Sequence, residues 1–149
     1  MTSKQLRHKD IEPLLAAYKI SVSKQDHLEL RNEKILYINH QPAFFYYENK
    51  LVPTLHHLLK ESSLLKKIVV DMGAVKFVVG GADIMRPGIV SIESEISAGD
   101  FVVVVDVNNK KPLTVGIALF GSSEMQEMKT GKVIKNIHYV GDAVWKNGV

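Results

Sequence analysis

A lysine and an arginine on either side of a glycine-rich segment are the residues of this chain best suited to bind an anion. Lys76 and Arg86 each stand in an otherwise apolar stretch, so each needs solvent or an anion as a partner. Between them lies Gly80-Gly81-Ala82, where a short helix must end in a left-handed cap. Glycines leave backbone N–H groups uncovered, and such groups beside a helix end can approach phosphate oxygens closely. The pattern predicts phosphate contact by Lys76, Gly80, Gly81, Ala82 and Arg86, although the glycines would also be needed for the turn alone.

The six histidines do not form a pattern typical of a metal site or a catalytic centre. His56 and His57 are adjacent and point to different faces of a helix. Four others have no companion acid or cysteine at ligand spacing: His8, His27, His40 and His138. The sequence has no Ser-His-Asp arrangement, phosphate loop, dinucleotide fingerprint or cysteine. We therefore expect no enzyme, no cofactor and no metal, and we interpret Asp71 and Asp83 as a helix cap and a turn acid.

Composition places the chain among folded proteins of one ordinary domain or two small ones. It has 149 residues, of which 46% are hydrophobic and 23% charged. No apolar run is long enough to cross a membrane, and the N-terminus has no secretory signal, so a cytoplasmic protein is expected. Residues 1–70 carry eleven Lys and Arg against seven Asp and Glu, a net +4, whereas residues 71–149 carry eight against nine, a net −1. A small basic excess is compatible with a polyanionic partner but does not require one.

The first half of the chain reads as a mixture of helices and strands. Apolar residues at helical spacing predict a helix across roughly residues 10–20: Ile11, Leu14, Leu15 and Tyr18. Loose alternation between residues 26 and 47 predicts strands, with turns at Asn32-Glu33 and Gln41-Pro42. A second helix is predicted to begin at Pro53, and its buried face to consist of Leu55, Leu58 and Leu59.

The second half is dominated by strands. A strand is predicted from Lys66 to Asp71, followed by the short helix and corner described above, with Arg86 in the next strand. Phe101–Val105 is apolar on both faces, as in a central barrel strand. Ser123 and Gln126 form a capping-box pattern. A final strand pair is predicted over residues 133–145, broken at Gly141-Asp142, with Trp145 closing the core and with one of His138 and Tyr139 facing inward. Five or six such strands suggest a small closed barrel.

Short motifs from both halves occur in one order along the chain. They are Pro53-Thr54-Leu55, Asp71-x-Gly73-Ala74-x-Lys76-Phe77-Val78, Gly81-Ala82-x-Ile84-Met85-x-Pro87-Gly88, Gly99-Asp100-x-Val102, Val115-Gly116, Gly131, Asn136-Ile137-His138-Tyr139 and Asp142-x-x-Trp145. Over roughly residues 10–146 this set resembles the PUA-domain family that includes the malignant T-cell amplified sequence protein and its archaeal relatives.

The resemblance implies an α+β fold in which a small N-terminal α/β pre-PUA domain (residues 1–68) packs on a C-terminal PUA-type β-barrel (residues 69–149). The absence of a Gly-, Pro- or Ser-rich linker between the halves predicts rigid packing. The resemblance also implies RNA binding and, for eukaryotic members, a role on the small ribosomal subunit in translation re-initiation and recycling.

The expected partner is therefore structured RNA, either rRNA or tRNA, together with the small ribosomal subunit and a translation-factor partner supplied in trans. Two alternatives stay open. In the first alternative the chain is a protein-interaction adaptor, and in the second it is a PUA accessory protein for tRNA or rRNA modification. The slightly acidic second half favours binding by shape or alongside a partner.

Overall fold

The computed structural model describes residues 2–147, and its first half is built on a five-stranded antiparallel sheet. The strands follow one another in chain order, so each pairs with its sequence neighbours. The elements are β1 (Ser3–Gln5), α1 (His8–Leu15), β2 (Leu28–Arg31), β3 (Ile35–Ile38), β4 (Gln41–Tyr47), β5 (Lys50–Pro53) and α2 (Leu55–Leu58). The alternation between residues 26 and 47 thus predicted strands correctly, whereas β5 was not expected.

Three details of the first half differ from the sequence-based prediction. The first helix begins at His8 and ends at Leu15, and a 3₁₀ turn continues to Tyr18. The second predicted turn is wrong, because Gln41 and Pro42 begin β4 and the chain reverses before them, at two residues with positive φ. Leu59 is 45% exposed and follows the last residue of α2, so the prediction that it belongs to the buried face of that helix is wrong. The turn at Asn32-Glu33 is confirmed, with φ values of 53° and 56°.

The second half forms a six-stranded sheet that curls around its own core. Its elements are β6 (Lys66–Val70), α3 (Met72–Val78), β7 (Ile84–Met85), β8 (Ile89–Ile92), β9 (Phe101–Asp106), β10 (Pro112–Ala118), α4 (Ser122–Glu127), β11 (Lys132–Tyr139) and α5 (Ala143–Asn147). The strand order is β7-β11-β10-β9-β6-β8, and only the β6–β9 pair is parallel. Within the described residues, the strand pairs leave β7 and β8 as edges, so the sheet is a pseudo-barrel rather than a closed ring.

The end of the second half is where the strand prediction fails. One strand, β11, runs to Tyr139, and α5 takes the place of the expected second strand. Asp142 causes this change, since its carboxylate accepts the backbone N–H of Trp145 at 2.8 Å and so caps the new helix. The capping box is also wrong, because α4 starts after Gly121 and has no side-chain cap. Arg86 lies in a 3₁₀ turn (Arg86–Gly88) between two short strands, and not in a strand.

A shared apolar core joins the two sheets. Residues from both halves contribute to it: Ile35, Tyr37, Phe45, Val52, Leu55 and Leu58 from the first, and Val69, Val103, Val105, Val115 and Val144 from the second. Trp145 packs against this shared core and stacks on His56, with ring centroids 3.9 Å apart, so it closes the junction and not the interior of the barrel. His138 is fully buried and Tyr139 half-buried, which confirms the expected inward and outward pair.

The predicted division at residue 68 falls within β6, all of whose residues pair in the second sheet. The exact domain boundary therefore stays a prediction. Among residues 2–147, no helix has both the length and the apolar character that a membrane crossing needs.

Candidate nucleic-acid interface

The predicted anion site lies where α3 ends and turns back toward β7. Asp71 caps the start of α3, because its carboxylate accepts the N–H of Ala74 at 2.9 Å, as the sequence predicted. At the other end Gly81 has a φ of +96°, a left-handed conformation that glycine adopts at little cost. The helix therefore has a defined beginning and end, and it presents one exposed face.

The backbone N–H groups of the corner are already bonded within the protein. Gly80 donates to the carbonyl of Phe77 at 3.1 Å, Gly81 to Val78 at 3.1 Å, and Ala82 to Phe77 at 3.0 Å. The expectation that glycines leave these amides uncovered is therefore wrong. The helix carbonyls accept them, as at many helix C-termini.

Asn136 of β11 holds the corner in place from the opposite side, a role that sequence reasoning missed. Its side-chain amide donates to the carbonyls of Val78 at 3.1 Å and Ala82 at 2.9 Å. Its backbone N–H donates to the carboxylate of Asp83 at 2.9 Å, so Asp83 serves the corner as an acceptor. Only the Asn136-Ile137-His138-Tyr139 motif pointed to this residue, and the motif alone did not reveal its partners.

Close packing also requires glycine at position 81. A Cβ atom built on it would lie 2.9 Å from the Tyr139 ring, closer than real Cβ contacts. The corner thus packs directly on an aromatic ring of β11, which fixes its distance from the sheet. Gly81 is required for the conformation of the corner and for this close approach.

An exposed apolar surface surrounds the corner. The exposed fractions are 47% for Met72, 59% for Phe77 and 50% for Met85, unusually high for such side chains. A groove of about 710 Å³ runs between α3 and β7, and Phe77, Met85 and Pro87 line it. Apolar surface of this kind, concentrated in one place, marks an interaction site. We call it the α3–β7 groove.

Lysines border the α3–β7 groove. The side chain of Lys76 is exposed, and its ammonium lies 5.1 Å from the centroid of the Phe77 ring, a cation–π distance. Lys132 lines the groove from β11, and its ammonium lies 3.4 Å from the carboxylate of Asp83. Asp83 offsets part of the positive charge, so the electrostatic attraction for a polyanion rests mainly on Lys76 among the predicted residues.

Arg86 lies beside the groove but is bonded to the protein. Its Nε donates to the carbonyl of Met125 at 2.7 Å and one terminal nitrogen to that of Ile89 at 3.3 Å. The sequence argument that Arg86 needs solvent or an anion therefore does not hold, because two carbonyls supply the acceptors. The guanidinium ties the 3₁₀ turn to Met125 within α4 and to Ile89 at the start of β8.

The histidines occupy several different environments. His56 stacks on Trp145, while His57 packs against Phe44, so the adjacent pair does face different directions, as expected. Burial lowers the pKa of His57. For His27 and His40 the expectation of no companion acid is wrong, because the fold brings them to Glu29, with ligand atoms within 4.8 Å of one another. It is wrong for His138 as well, whose Nδ1 lies 2.9 Å from the carboxylate of Asp142.

The second half brings three features together at the α3–β7 groove. A curled six-stranded sheet presents a glycine corner, an exposed aromatic ring and a lysine side by side. An aromatic face can stack on a base, and an ammonium can pair with a phosphate, which is the combination used for single-stranded nucleic acids.

Comparison with known proteins defines the family more closely. Residues 66–140 match the model of the PUA domain, and residues 3–61 match the model described as Domain of unknown function (DUF1947). The chain is 48% identical over 112 residues to an uncharacterized protein of Methanocaldococcus jannaschii, covering 75% of this chain and 69% of that protein. The chain therefore belongs to the PUA-domain family, within the group in which a DUF1947 domain precedes the PUA domain.

Eukaryotic proteins are similar over the same region. Translation machinery-associated protein 20 of Schizosaccharomyces pombe is 33% identical over 107 residues, which cover 69% of this chain and 59% of that protein. Malignant T-cell-amplified sequence 1-A of Xenopus laevis is 36% identical over 116 residues, which cover 75% of this chain and 64% of that protein. The chain thus spans about three fifths of the length of these two relatives. The family resemblance seen in the sequence is confirmed.

A solved structure extends the likeness over the whole chain. The crystal structure of a hypothetical protein from Pyrococcus horikoshii superposes with a TM-score of 0.87 and 30% identity, covering 99% of this chain and 100% of that chain. The expected α+β architecture, a small N-terminal domain packed on a PUA-type barrel, is confirmed by this match and by the family models.

Proposed function

We propose that this chain is an RNA-binding protein associated with the translation machinery, and that the α3–β7 groove contacts the RNA. The observation that carries the proposal is the exposed Phe77 ring beside the Lys76 ammonium, 5.1 Å apart at the edge of the glycine corner. The PUA-domain match and the name of the Schizosaccharomyces pombe relative support the association with translation. A cytoplasmic location follows from that association.

The corner contributes shape and not hydrogen-bond donors. Because the N–H groups of Gly80, Gly81 and Ala82 are bonded to helix carbonyls, a phosphate would rest against the corner and pair with Lys76. Arg86 supports the turn that carries Pro87 and Met85 into the groove. All five predicted residues thus keep a place in the proposed site, four of them with a different task and Lys76 with the predicted one.

The proposed RNA is rRNA or tRNA, engaged through unpaired nucleotides. A flat, exposed aromatic ring stacks on any base, but a base inside a duplex cannot reach it. The small ribosomal subunit and a protein partner supplied in trans are the proposed setting. The proposed role of the groove is binding and not catalysis, since its lining offers an aromatic surface for stacking and charge for phosphate.

The proposal is tested by measuring RNA affinity for two variants and two matched controls. We expect Phe77→Ala to weaken binding of a single-stranded oligoribonucleotide by about 5- to 150-fold, the range of one lost base stack. Lys76→Ala removes a phosphate contact and should weaken binding several-fold. Leu59→Ala and Lys34→Ala change an exposed apolar residue and an exposed lysine of the first half, and should bind as the parent does.

Two outcomes would contradict the proposal. If Phe77→Ala and Lys76→Ala both bind RNA as tightly as the parent, the groove is not the interface. If the parent binds no RNA at low salt but captures a protein from a nuclease-treated lysate, the adaptor alternative gains support, because an apolar groove also suits a protein partner.

Sequencing RNA crosslinked in cells would identify the target, with small-subunit rRNA favouring translation and tRNA alone favouring the modification-linked alternative.

A further inference from the structure

Two histidines and a glutamate meet on the first sheet, away from the α3–β7 groove. His27 immediately precedes β2, Glu29 lies within it, and His40 lies in the turn between β3 and β4. Each offers one ligand atom, and these atoms all lie within 4.8 Å of one another. The imidazole rings of His27 and His40 stack with centroids 4.6 Å apart and planes 22° apart. The fold thus brings His40 to two residues that stand eleven and thirteen positions before it in the sequence.

The backbone that carries this cluster is fixed by reciprocal hydrogen bonds. Residues two apart on a strand point to the same face, which places His27 and Glu29 side by side. The turn with His40 is attached to the His27 strand through Asn39, whose N–H donates to the His27 carbonyl at 2.8 Å. The Asn39 side chain accepts the N–H of His27, also at 2.8 Å, and donates to the carboxylate of Asp26 at 2.9 Å. The turn therefore holds His40 against the strand.

The ligand atoms of the cluster retain the capacity to bind a metal. Among residues 2–147, no hydrogen bond engages the ring nitrogens of His27 or His40. Glu29 accepts one hydrogen bond from the Ser3 hydroxyl and one from Arg31 Nε, the latter at 3.0 Å. Each carboxylate oxygen has two lone pairs, so one per oxygen is left. Contacts of this kind orient a ligating carboxylate, and metal sites commonly include them.

We propose that His27, Glu29 and His40 form a binding site for a zinc-type divalent transition-metal ion. Two imidazole nitrogens and one carboxylate oxygen are a ligand set that Zn²⁺ favours, with water completing the coordination. Ligand atoms around tetrahedral zinc lie about 3.3 Å apart, given metal–nitrogen distances of about 2.0–2.1 Å. The ligand atoms lie within 4.8 Å of one another, so binding requires the side chains to turn toward the ion. The exposed His40 ring can rotate about its Cβ–Cγ bond, a torsion with a broad energy minimum.

Metal binding at this site is measured with ZnCl₂ on the full chain, free of any histidine tag. Calorimetric titration should give saturable binding of one Zn²⁺ per chain, and Zn²⁺ should raise the melting temperature until a chelator is added. His27→Ala and His40→Asn should each weaken Zn²⁺ binding at least about tenfold. Tenfold is the lower bound because removing a residue that only supports a metal ligand already costs about that much affinity. The matched control is His8→Ala, since His8 lies in the same half but outside the cluster.

Glu29→Gln supplies a second measure that does not depend on the histidines. The amide oxygen of glutamine can still accept from Arg31 Nε, and its NH₂ group can donate to the Ser3 hydroxyl oxygen, so both contacts are kept while the anionic ligand is lost. Its Zn²⁺ affinity should fall about as far as that of His27→Ala, with an unchanged circular dichroism spectrum. If the parent shows no saturable Zn²⁺ binding, or if His27→Ala and Glu29→Gln bind as the parent does, the site does not exist. RNA affinity of the same variants should be unchanged, which separates this proposal from that for the groove.

Discussion

His138 accepts a hydrogen bond from the backbone N–H of Leu55, at 3.1 Å, across the junction of the two sheets. This contact fixes Nε2 of His138 as an acceptor, so Nδ1 carries the proton and donates it to Asp142 at 2.9 Å. Asp142 in turn caps α5, whose Trp145 stacks on His56 next to Leu55. One buried histidine thus connects the first turn of α2 to the end of the second sheet.

Removing this imidazole should loosen the junction. We expect His138→Ala to lower the free energy of unfolding by about 2–4 kcal/mol, because it leaves the Leu55 N–H without an acceptor and opens a cavity in the shared core. Chemical denaturation measures the change. His40→Asn is the control, since it alters an exposed histidine in a left-handed turn that asparagine tolerates and should cost under about 0.5 kcal/mol. Equal losses for the two variants would contradict the role assigned to His138.

Asp142 makes stability depend on acid pH. Burial by itself would raise the pKa of its carboxyl, but the hydrogen bond from His138, with those from the N–H groups of Trp145 and Tyr139, brings the pKa below its usual 3.8. A lowered folded-state pKa stabilises the fold above the unfolded value, and that contribution is lost as the pH falls through the folded value. The melting temperature of the parent should therefore fall as the pH is lowered below about 3.8. Over the same pH range the melting temperature of Asp142→Asn should fall less. Parallel pH profiles for the two proteins would rule out this account.

Local sequence patterns correctly predicted those strands and helix caps that depend on residues close together in the sequence. Alternation around Ile35 and Tyr37 identified strands, the apolar run from Phe101 identified a central strand, and Asp71 was recognised as a cap. The family motifs predicted the architecture, which no single pattern contained. Failures came where a distant or unpatterned partner decides the outcome. Asp142 starts a helix through a hydrogen bond to Trp145, a geometry that alternation cannot show.

The candidate site shows the same division between local and distant information. Gly81 was correctly expected to adopt the left-handed conformation, because the end of a helix requires it. The nearer acceptor of Arg86, the Met125 carbonyl, becomes its neighbour only through tertiary packing, because the two residues are 39 positions apart in the sequence. Likewise Glu29 joins His40 through strand register and not through spacing in the sequence.

Gly81→Ala should be more damaging than a matched glycine substitution. Both Gly81 and Gly99 have left-handed φ values, +96° and +93°, so alanine at either position strains the backbone by roughly 1 kcal/mol. Only at Gly81 does the new methyl group meet a neighbour, the Tyr139 ring at 2.9 Å, whereas a Cβ on Gly99 meets no described atom within 4 Å. Thermal unfolding should therefore show a loss larger by about 1 kcal/mol or more for Gly81→Ala. Adding Tyr139→Leu should recover that excess, and a failure to recover it would assign the loss to the backbone alone.

Arg86→Ala should reduce stability, in contrast to the behaviour of a surface arginine. The variant leaves the carbonyls of Met125 and Ile89 without their charged donor, and hydrogen bonds to charged groups contribute about 1.5–3 kcal/mol. Arg7→Ala removes an exposed ion pair with Asp10 and should cost under about 1 kcal/mol. Denaturant titration distinguishes the two. An Arg86→Ala protein as stable as the parent, but weaker in RNA binding, would instead restore Arg86 as a direct phosphate contact.

The salt dependence of RNA binding separates the two contributions proposed for the α3–β7 groove. If about two to four phosphates of a single strand are neutralised, the slope of log affinity against log salt should be about −1.4 to −2.8. Lys76→Ala should make the slope shallower by about 0.7, because one phosphate contact is lost. Phe77→Ala should lower affinity at every salt concentration without changing the slope, since stacking releases no counterions. Fluorescence anisotropy with a labelled single-stranded oligoribonucleotide from about 50 to 200 mM salt gives both quantities. A slope near zero for the parent, or one that changes with Phe77→Ala and not with Lys76→Ala, would overturn the assignment of phosphate to the lysine and base to the aromatic ring.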